Sequence, residues 1–232
     1  MELINLDDIL SVDDSNNPTI SLPKHQRCCF HNLNLIATND AEKAENDINY
    51  KRISRTTFAK CFALINKQNM SPKMADNCRI GKIPNSSNKT RWNSYFQSMK
   101  LIAKMLSEKF LEVEEVCDKI GFTMFRQEEC FYVKEYASVM EPLAISLKIL
   151  EREDNMEQGY LTPVLTILID KLKKFSCLRY CQPLVECVLR GIDKRFPSLY
   201  DENNILASII HPKFRLNRPF INLPQNLLLK EG

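Results

Sequence analysis

The 232-residue chain reads as a mainly α protein on three observations. It holds 5 glycines, against roughly 16 at an average usage of about 7%. That scarcity disfavours phosphate-cradling loops, turn-rich β-sandwiches and flexible linkers, whereas helices tolerate it. From Thr90 onward, apolar residues recur at helical spacing. Prolines stand where helices begin, at Thr162-Pro163 and at Pro183. With 44% hydrophobic residues the chain can bury a core. No run approaches the roughly 20 apolar residues of a membrane span. The opening Met-Glu-Leu-Ile-Asn-Leu-Asp-Asp lacks the basic start and apolar stretch of a secretory signal. A nuclear or cytoplasmic location is therefore expected.

Residues 1–22 are acidic and show no sustained period, so they read as a mobile leader with a short strand at 19–22. Phe30, Leu33 and Ile36 suit a short buried helix within 25–37, followed by a polar connector over 40–49. Ile53, Thr57, Phe58, Cys61, Phe62 and Ile65 predict a helix over 52–67. Proline, glycine and an Asn/Ser cluster make 68–90 a loop, with one strand near Ile80. Trp92, Phe96, Met99, Ile102, Leu106 and Phe110 form one stripe that continues to Val113 and Val116. A second runs from Tyr132 through Tyr136, Val139, Leu143 and Leu147 to Leu150. Thr162 reads as an N-cap, with Leu165, Leu168, Leu172 and Phe175 behind it. Val185, Leu189, Ile192 and Phe196 follow Pro183, and a last helix over 204–210 stops at His211-Pro212. Residues 217–232 read as a frayed tail. No fixed-length repeat occurs, so a solenoid is not expected.

Net charge is +3, but its distribution is uneven. Residues 1–50 carry −6, 51–110 carry +11, 111–160 carry −7 and 161–232 carry +5. The basic block has two readings: a phosphate-binding surface, or a basic face neutralised internally by the acidic blocks on either side.

Chemistry-bearing patterns are sparse. No H-E-x-x-H, G-x-S-x-G or Walker sequence occurs. The nine cysteines contain no C-x-x-C, three histidines accompany them, and reduced thiols are expected. Cys177, Cys181 and Cys187 read as core thiols. Cys28 and His31 form a close thiol–imidazole pair, but a metal site would need two more ligands. Buried structural residues, with His31 hydrogen-bonded locally, are the plainer reading. Thr90-Arg91-Trp92-Asn93-Ser94 holds the only tryptophan and lies inside the basic block. A guanidinium beside an indole can grip a phosphate and stack on an unpaired base. Thr90 could equally cap a helix that Trp92 anchors in the core.

In this order the motifs carry a resemblance. Cys28-Cys29-Phe30-His31-Asn32-Leu33-Asn34-Leu35 resembles the C-x-x-H-x-L-N-L signature of hAT-superfamily transposases, the hobo and Activator group. Thr90-Arg91-Trp92-Asn93-Ser94 is similar to their T-R-W-N-S motif. The segment from Ile205 to Arg215 looks like their L-A-x-x-L-D-P-K-F-K run, with His211 in place of the usual aspartate. The resemblance spans about residues 20–216, and 136–150 and 159–172 resemble helices of the insertion domain.

That resemblance implies a helical insertion domain over 91–216 and a partial ribonuclease-H-like α/β remnant over 23–90. It also implies a DNA-handling role for Arg91 and Trp92, to which the basic surroundings add Lys89, Thr90, Asn93 and Lys100. In the family, three acidic residues hold divalent metal and cut DNA. Here Asp14-Ser15-Asn16-Asn17 is a poor match to the second acidic motif, and the other acids would lie beyond the chain. No counterpart of the family's N-terminal zinc finger is expected within these residues. The expectation is therefore a transposase-derived DNA-binding protein without catalytic activity, metal or other cofactor. Its partner would be DNA with hairpin or single-stranded ends, with self-association in addition, and neither a membrane nor a small-molecule substrate. The alternatives are a helical interaction or dimerisation module, or the insertion-domain part of a longer active transposase.

Overall fold

The computed structural model describes residues 28–70, 92–151 and 158–214, and 82% of them are helical with no strand among them. The mainly α reading stands. The strands expected near 19–22 and Ile80, the acidic leader and the tail lie outside the described residues.

Among the described residues, eight α-helices follow in order: α1 (Cys29–Leu35), α2 (Ile48–Met70), α3 (Trp92–Glu108), α4 (Phe110–Lys119), α5 (Gln127–Leu150), α6 (Leu161–Lys173), α7 (Gln182–Arg195) and α8 (Glu202–Ile210). The long α5 is the hub: α1, α2, α3 and α6 all pack on it. Tyr132, Val133, Val139, Met140, Leu143 and Leu147 are almost fully buried along its length. That burial lets α5 run through Pro142, where a helix interior loses a hydrogen bond at a cost of about 3 kcal/mol. The core is continuous: Leu33, Ile36, Cys61 and Ile65 share one cluster with Trp92, Phe96, Leu143 and Leu165. The described part of 23–90 therefore packs helix on helix with the rest.

Several local details depart from the sequence reading. The stripe expected to run unbroken from Trp92 to Val116 is split at Lys109, whose φ of −135° and ψ of 40° end α3 and begin α4. Phe110 is consequently 40% exposed rather than buried. Gly121 closes α4 at φ +60°. The N–H of Phe122 donates to the Cys117 carbonyl at 2.8 Å and that of Gly121 to the Asp118 carbonyl at 3.1 Å, a Schellman ending in which the left-handed residue is glycine. Thr162 is not an N-cap: α6 begins at Leu161, and the buried Thr162 hydroxyl donates to the Leu199 carbonyl at 3.1 Å.

The polar connector over 40–49 is ordered as a π-helical turn, Ile36–Asp40, and a 3-10 turn, Lys43–Asn46. Asp40 is buried there between Arg195 and Lys43. A Cβ on Gly191 would come within 3.0 Å of Asp40, so glycine lets α7 approach this turn.

Candidate nucleic-acid interface

The start of α3 sits against an aromatic cluster from α2 and α5. Trp92 is the first residue of the helix and only 6% exposed. Its indole stacks on Phe96, with ring centroids 5.3 Å apart and planes 16° apart. Its N–H is a hydrogen-bond partner of the Tyr136 hydroxyl. Phe58 fills the space between Tyr95, Tyr132 and Tyr136, with centroids 6.0, 5.5 and 5.0 Å away in edge-to-face geometry. The Tyr132 hydroxyl donates to that of Tyr50 at 3.2 Å. Burial pushes the hydroxyls of Tyr50, Tyr95, Tyr132 and Tyr136 well above the ordinary tyrosine value, so all four stay neutral.

The expected site residues therefore separate. Lys89, Thr90 and Arg91 lie outside the described residues. Trp92 takes the anchoring role, and its inward-facing ring is not open for stacking on an unpaired base. Asn93 is half-buried, and its Oδ1 is buried with no hydrogen-bond partner among the described residues. Lys100 is exposed but forms an ion pair with Glu141 of α5.

Lys100 exemplifies a wider pattern. Thirteen basic side chains make up the block over 51–110, and eight of these lie on described residues: 51, 52, 55, 60, 67, 100, 104 and 109. Five of the eight meet a carboxylate: Arg55 with Glu45, Lys60 with Glu129, Lys100 with Glu141, Lys104 with Glu108, and Lys109 with Glu112. Four of those five acids come from the flanking acidic blocks. Lys67 instead donates to the carbonyls of Ile120 and Gly121 at 3.0 and 3.1 Å. The described helices thus balance most of their own charge, as the internal-neutralisation reading expects. The remaining five cations, Lys73, Arg79, Lys82, Lys89 and Arg91, share the segment 71–91 with a single acid, Asp76.

One of these pairs is deeply set. Glu129 is 1% exposed and accepts from Lys60 Nζ at 2.7 Å, the Arg126 N–H at 2.7 Å and the Arg126 guanidinium at 3.2 Å. Burial raises its pKa, but the Lys60 and Arg126 hydrogen bonds outweigh that, and the carboxyl is held below its ordinary value. Sequence reading missed Glu129, although its place three residues before Tyr132 and seven before Tyr136 puts it on the buried face of α5. It also missed Glu135, which bonds the N–H groups of Arg179, Tyr180 and Cys181 at 2.7, 2.9 and 3.0 Å. A carboxylate from the middle of α5 thereby fixes the entry to α7 and complements its positive dipole end.

The expectation that Cys28 and His31 are buried is overturned: both are exposed, at the first turn of α1. Leu33 and Ile36 supply the buried face of that turn instead. Among the described residues, no group of three or more His, Cys, Asp or Glu is placed to hold a metal ion. Cys181 and Cys187 are buried as expected, whereas Cys177 is exposed because it lies on the connection between α6 and α7. Burial raises the thiols of Cys61, Cys130 and Cys181, and, helped by Asp118 and Glu114, takes Cys117 up to about 11. None of these four is a thiolate nucleophile at neutral pH.

No protein-family model matches the chain, and no match is found among curated proteins or solved structures. Among the described residues no helix is long and apolar enough to cross a membrane.

Proposed function

We propose that the chain is a transposase-derived, helical DNA-binding protein of the nucleus that binds DNA ends without cutting them and needs no metal or other cofactor. The segment 71–91, ending in Arg91, makes the contact, and the helices around Trp92 act as its mount. The observation that carries this reading is where the sequence concentrates its unbalanced cations. The described helices of the basic block are largely neutralised by their own carboxylates, whereas 71–91 holds five cations and one acid. Phosphate neutralisation by such a cluster is electrostatic and salt-dependent. Arg91 can in addition stack on an unpaired base, which favours hairpin and single-stranded ends over plain duplex. The order of the C-x-x-H, T-R-W-N-S and Ile205-to-Arg215 motifs supports a transposase ancestry, and with it a ribonuclease-H-like remnant in 23–90.

Fluorescence anisotropy of labelled hairpin, single-stranded and duplex DNA over a salt series tests the proposal. Wild type is expected to bind, with log K falling against log salt at about −0.7 per phosphate contact on single strands. Replacing Arg79, Lys82, Lys89 and Arg91 together by alanine should flatten that slope. Replacing Lys100 and Lys104 should leave it unchanged. Absence of binding at low salt, or equal losses in the two variants, sinks the reading.

A further inference from the structure

Among the described residues, two exposed apolar faces carry opposite charge at their margins. The first is a groove of about 260 Å³ where the break at Lys109 opens α3 from α4 against the first turns of α5. Leu106, Phe110, Cys130 and Phe131 line it, with Gln127 and Lys134 at its margin. Phe110 and Phe131 remain 40% and 42% exposed, and Leu111 next to them is 77% exposed. Two cations stand over this face. Lys134 is on the rim, and the Arg179 guanidinium lies 5.9 Å from the Phe131 ring centroid. Neither meets a carboxylate among the described residues. Glu135 is engaged by three backbone N–H groups, and Glu128 lies about 100° round the helix from Gln127.

The second face is the outer side of α8. Asn204 holds its inner side, accepting from Gln158 at 2.8 Å and donating to the Ser198 carbonyl at 2.7 Å. Outward stand Leu206, Ile209 and Ile210, which are 54%, 39% and 69% exposed. They occupy i, i+3 and i+4, so they form one ridge. At the N-terminal end of that ridge Asp201 and Glu202 are exposed, with no ion pair among the described residues. A convex aliphatic ridge with an acidic tip thus matches a concave aromatic groove with a basic rim. A short amphipathic helix laid in such a groove is a recurring recognition mode, read by anchors at this spacing.

We infer that the groove of one copy takes α8 of a second copy, with Leu206, Ile209 and Ile210 in the groove and Asp201 and Glu202 facing Lys134 and Arg179. The contact joins different surfaces of the two protomers, so it either pairs them reciprocally or adds copies head to tail. A nine-residue helix buries less than the roughly 1,600 Å² of a standard interface, so self-association in the micromolar range is expected.

Sedimentation equilibrium on the full chain, from about 1 to 200 µM to bracket that range, should show a mass that rises with concentration. Phe131→Asp and Leu206→Asp, each checked by far-UV circular dichroism, should each be monomeric. Mixing them is the decisive measurement. The first retains an intact α8 and the second an intact groove, so the mixture should form a 1:1 complex that neither variant forms alone. In a second set, Lys134→Glu with Arg179→Glu should weaken association about tenfold or more, and Asp201→Lys with Glu202→Lys should restore it in mixtures. A monomeric wild type, a mixture that stays monomeric, or a Leu206→Asp variant that associates like wild type overturns the inference. The last outcome would mean that something other than α8 fills the groove.

Discussion

Over its first half, α5 meets aromatic and charged side chains: Tyr132 and Tyr136 face Phe58, Glu129 is clamped to Lys60, and Glu135 holds the start of α7. Over its second half its buried contacts are aliphatic. Met140, Leu143, Leu147 and Leu150 lie in the same core as Leu165, Leu168 and Leu172. The polar links beyond that end are neutral, from Gln158 to Asn204 and from Thr162 to Leu199. There a Cβ on Gly159 would lie 2.7 Å from the Ala207 carbonyl oxygen, so glycine sets the approach of α8. The difference has a physical sense. Aliphatic burial is strong but non-directional, so it suffices where α5 and α6 are neighbours in sequence. The partners of the first half, α2 and α7, come from far along the chain, and a buried carboxylate with a fixed set of donors selects one register for each.

Substitutions in the two halves can break or sharpen this contrast. The largest effect is expected for Trp92→Ala, at about 4 kcal/mol, because it removes a fully packed indole. Chemical denaturation followed by far-UV circular dichroism checks it. As the only tryptophan, Trp92 also reports its own corner: coincident fluorescence and dichroism transitions in the wild type would show that both halves unfold together.

Leu147→Ala, in the aliphatic half, is expected to lower the unfolding free energy by about 3 kcal/mol, with no dependence on pH. Glu129→Gln should cost about 2 kcal/mol near neutral pH, since it leaves Lys60 without its charge partner, and here the pH dependence is the test. Glu129 and Asp40 are both held below their ordinary values, as ion-pair hydrogen bonds outweigh burial. Their contribution is complete above the unfolded values of about 4.3 and 3.9. It is lost as pH falls through the lower folded values. The gap between wild type and Glu129→Gln should therefore close below about pH 4, while the Leu147→Ala gap persists. Equal behaviour of the two variants across pH would remove the distinction between the halves.

Smaller effects complete the series. Glu135→Ala leaves three N–H groups ahead of α7 without their acceptor and should cost about 1–2 kcal/mol, read as a lower denaturation midpoint. Lys100→Ala breaks a pair whose side chains are 46% and 42% exposed, so a change under about 0.5 kcal/mol is expected in the same assay.

Periodicity is local, so the helices could be read from the chain itself. Met99 and Ile102, or Leu165 and Leu168, mark a buried face wherever the partner helix comes from, and Pro183 marks a first turn without tertiary context. The same local reading could not place the break at Lys109, since an apolar stripe remains in phase across a one-residue interruption. Nor could it order the 36–46 region, whose π and 3-10 turns are held by Arg195 and by the close approach of Gly191. The basic excess of 51–110 was legible as a sum, but its disposition was not. Lys60 and Lys100 find their carboxylates only when α2 and α3 are set against α5. Trp92 stood out by its neighbours, yet its burial depends on Tyr136 and Phe96 closing over it. The sequence by itself determined which segments are helical and which face of each is apolar, because those depend on residues three and four apart. The tertiary structure alone decided which charges are cancelled between helices, which cysteines are shielded and which apolar faces stay open, because each of those depends on partners tens of residues away.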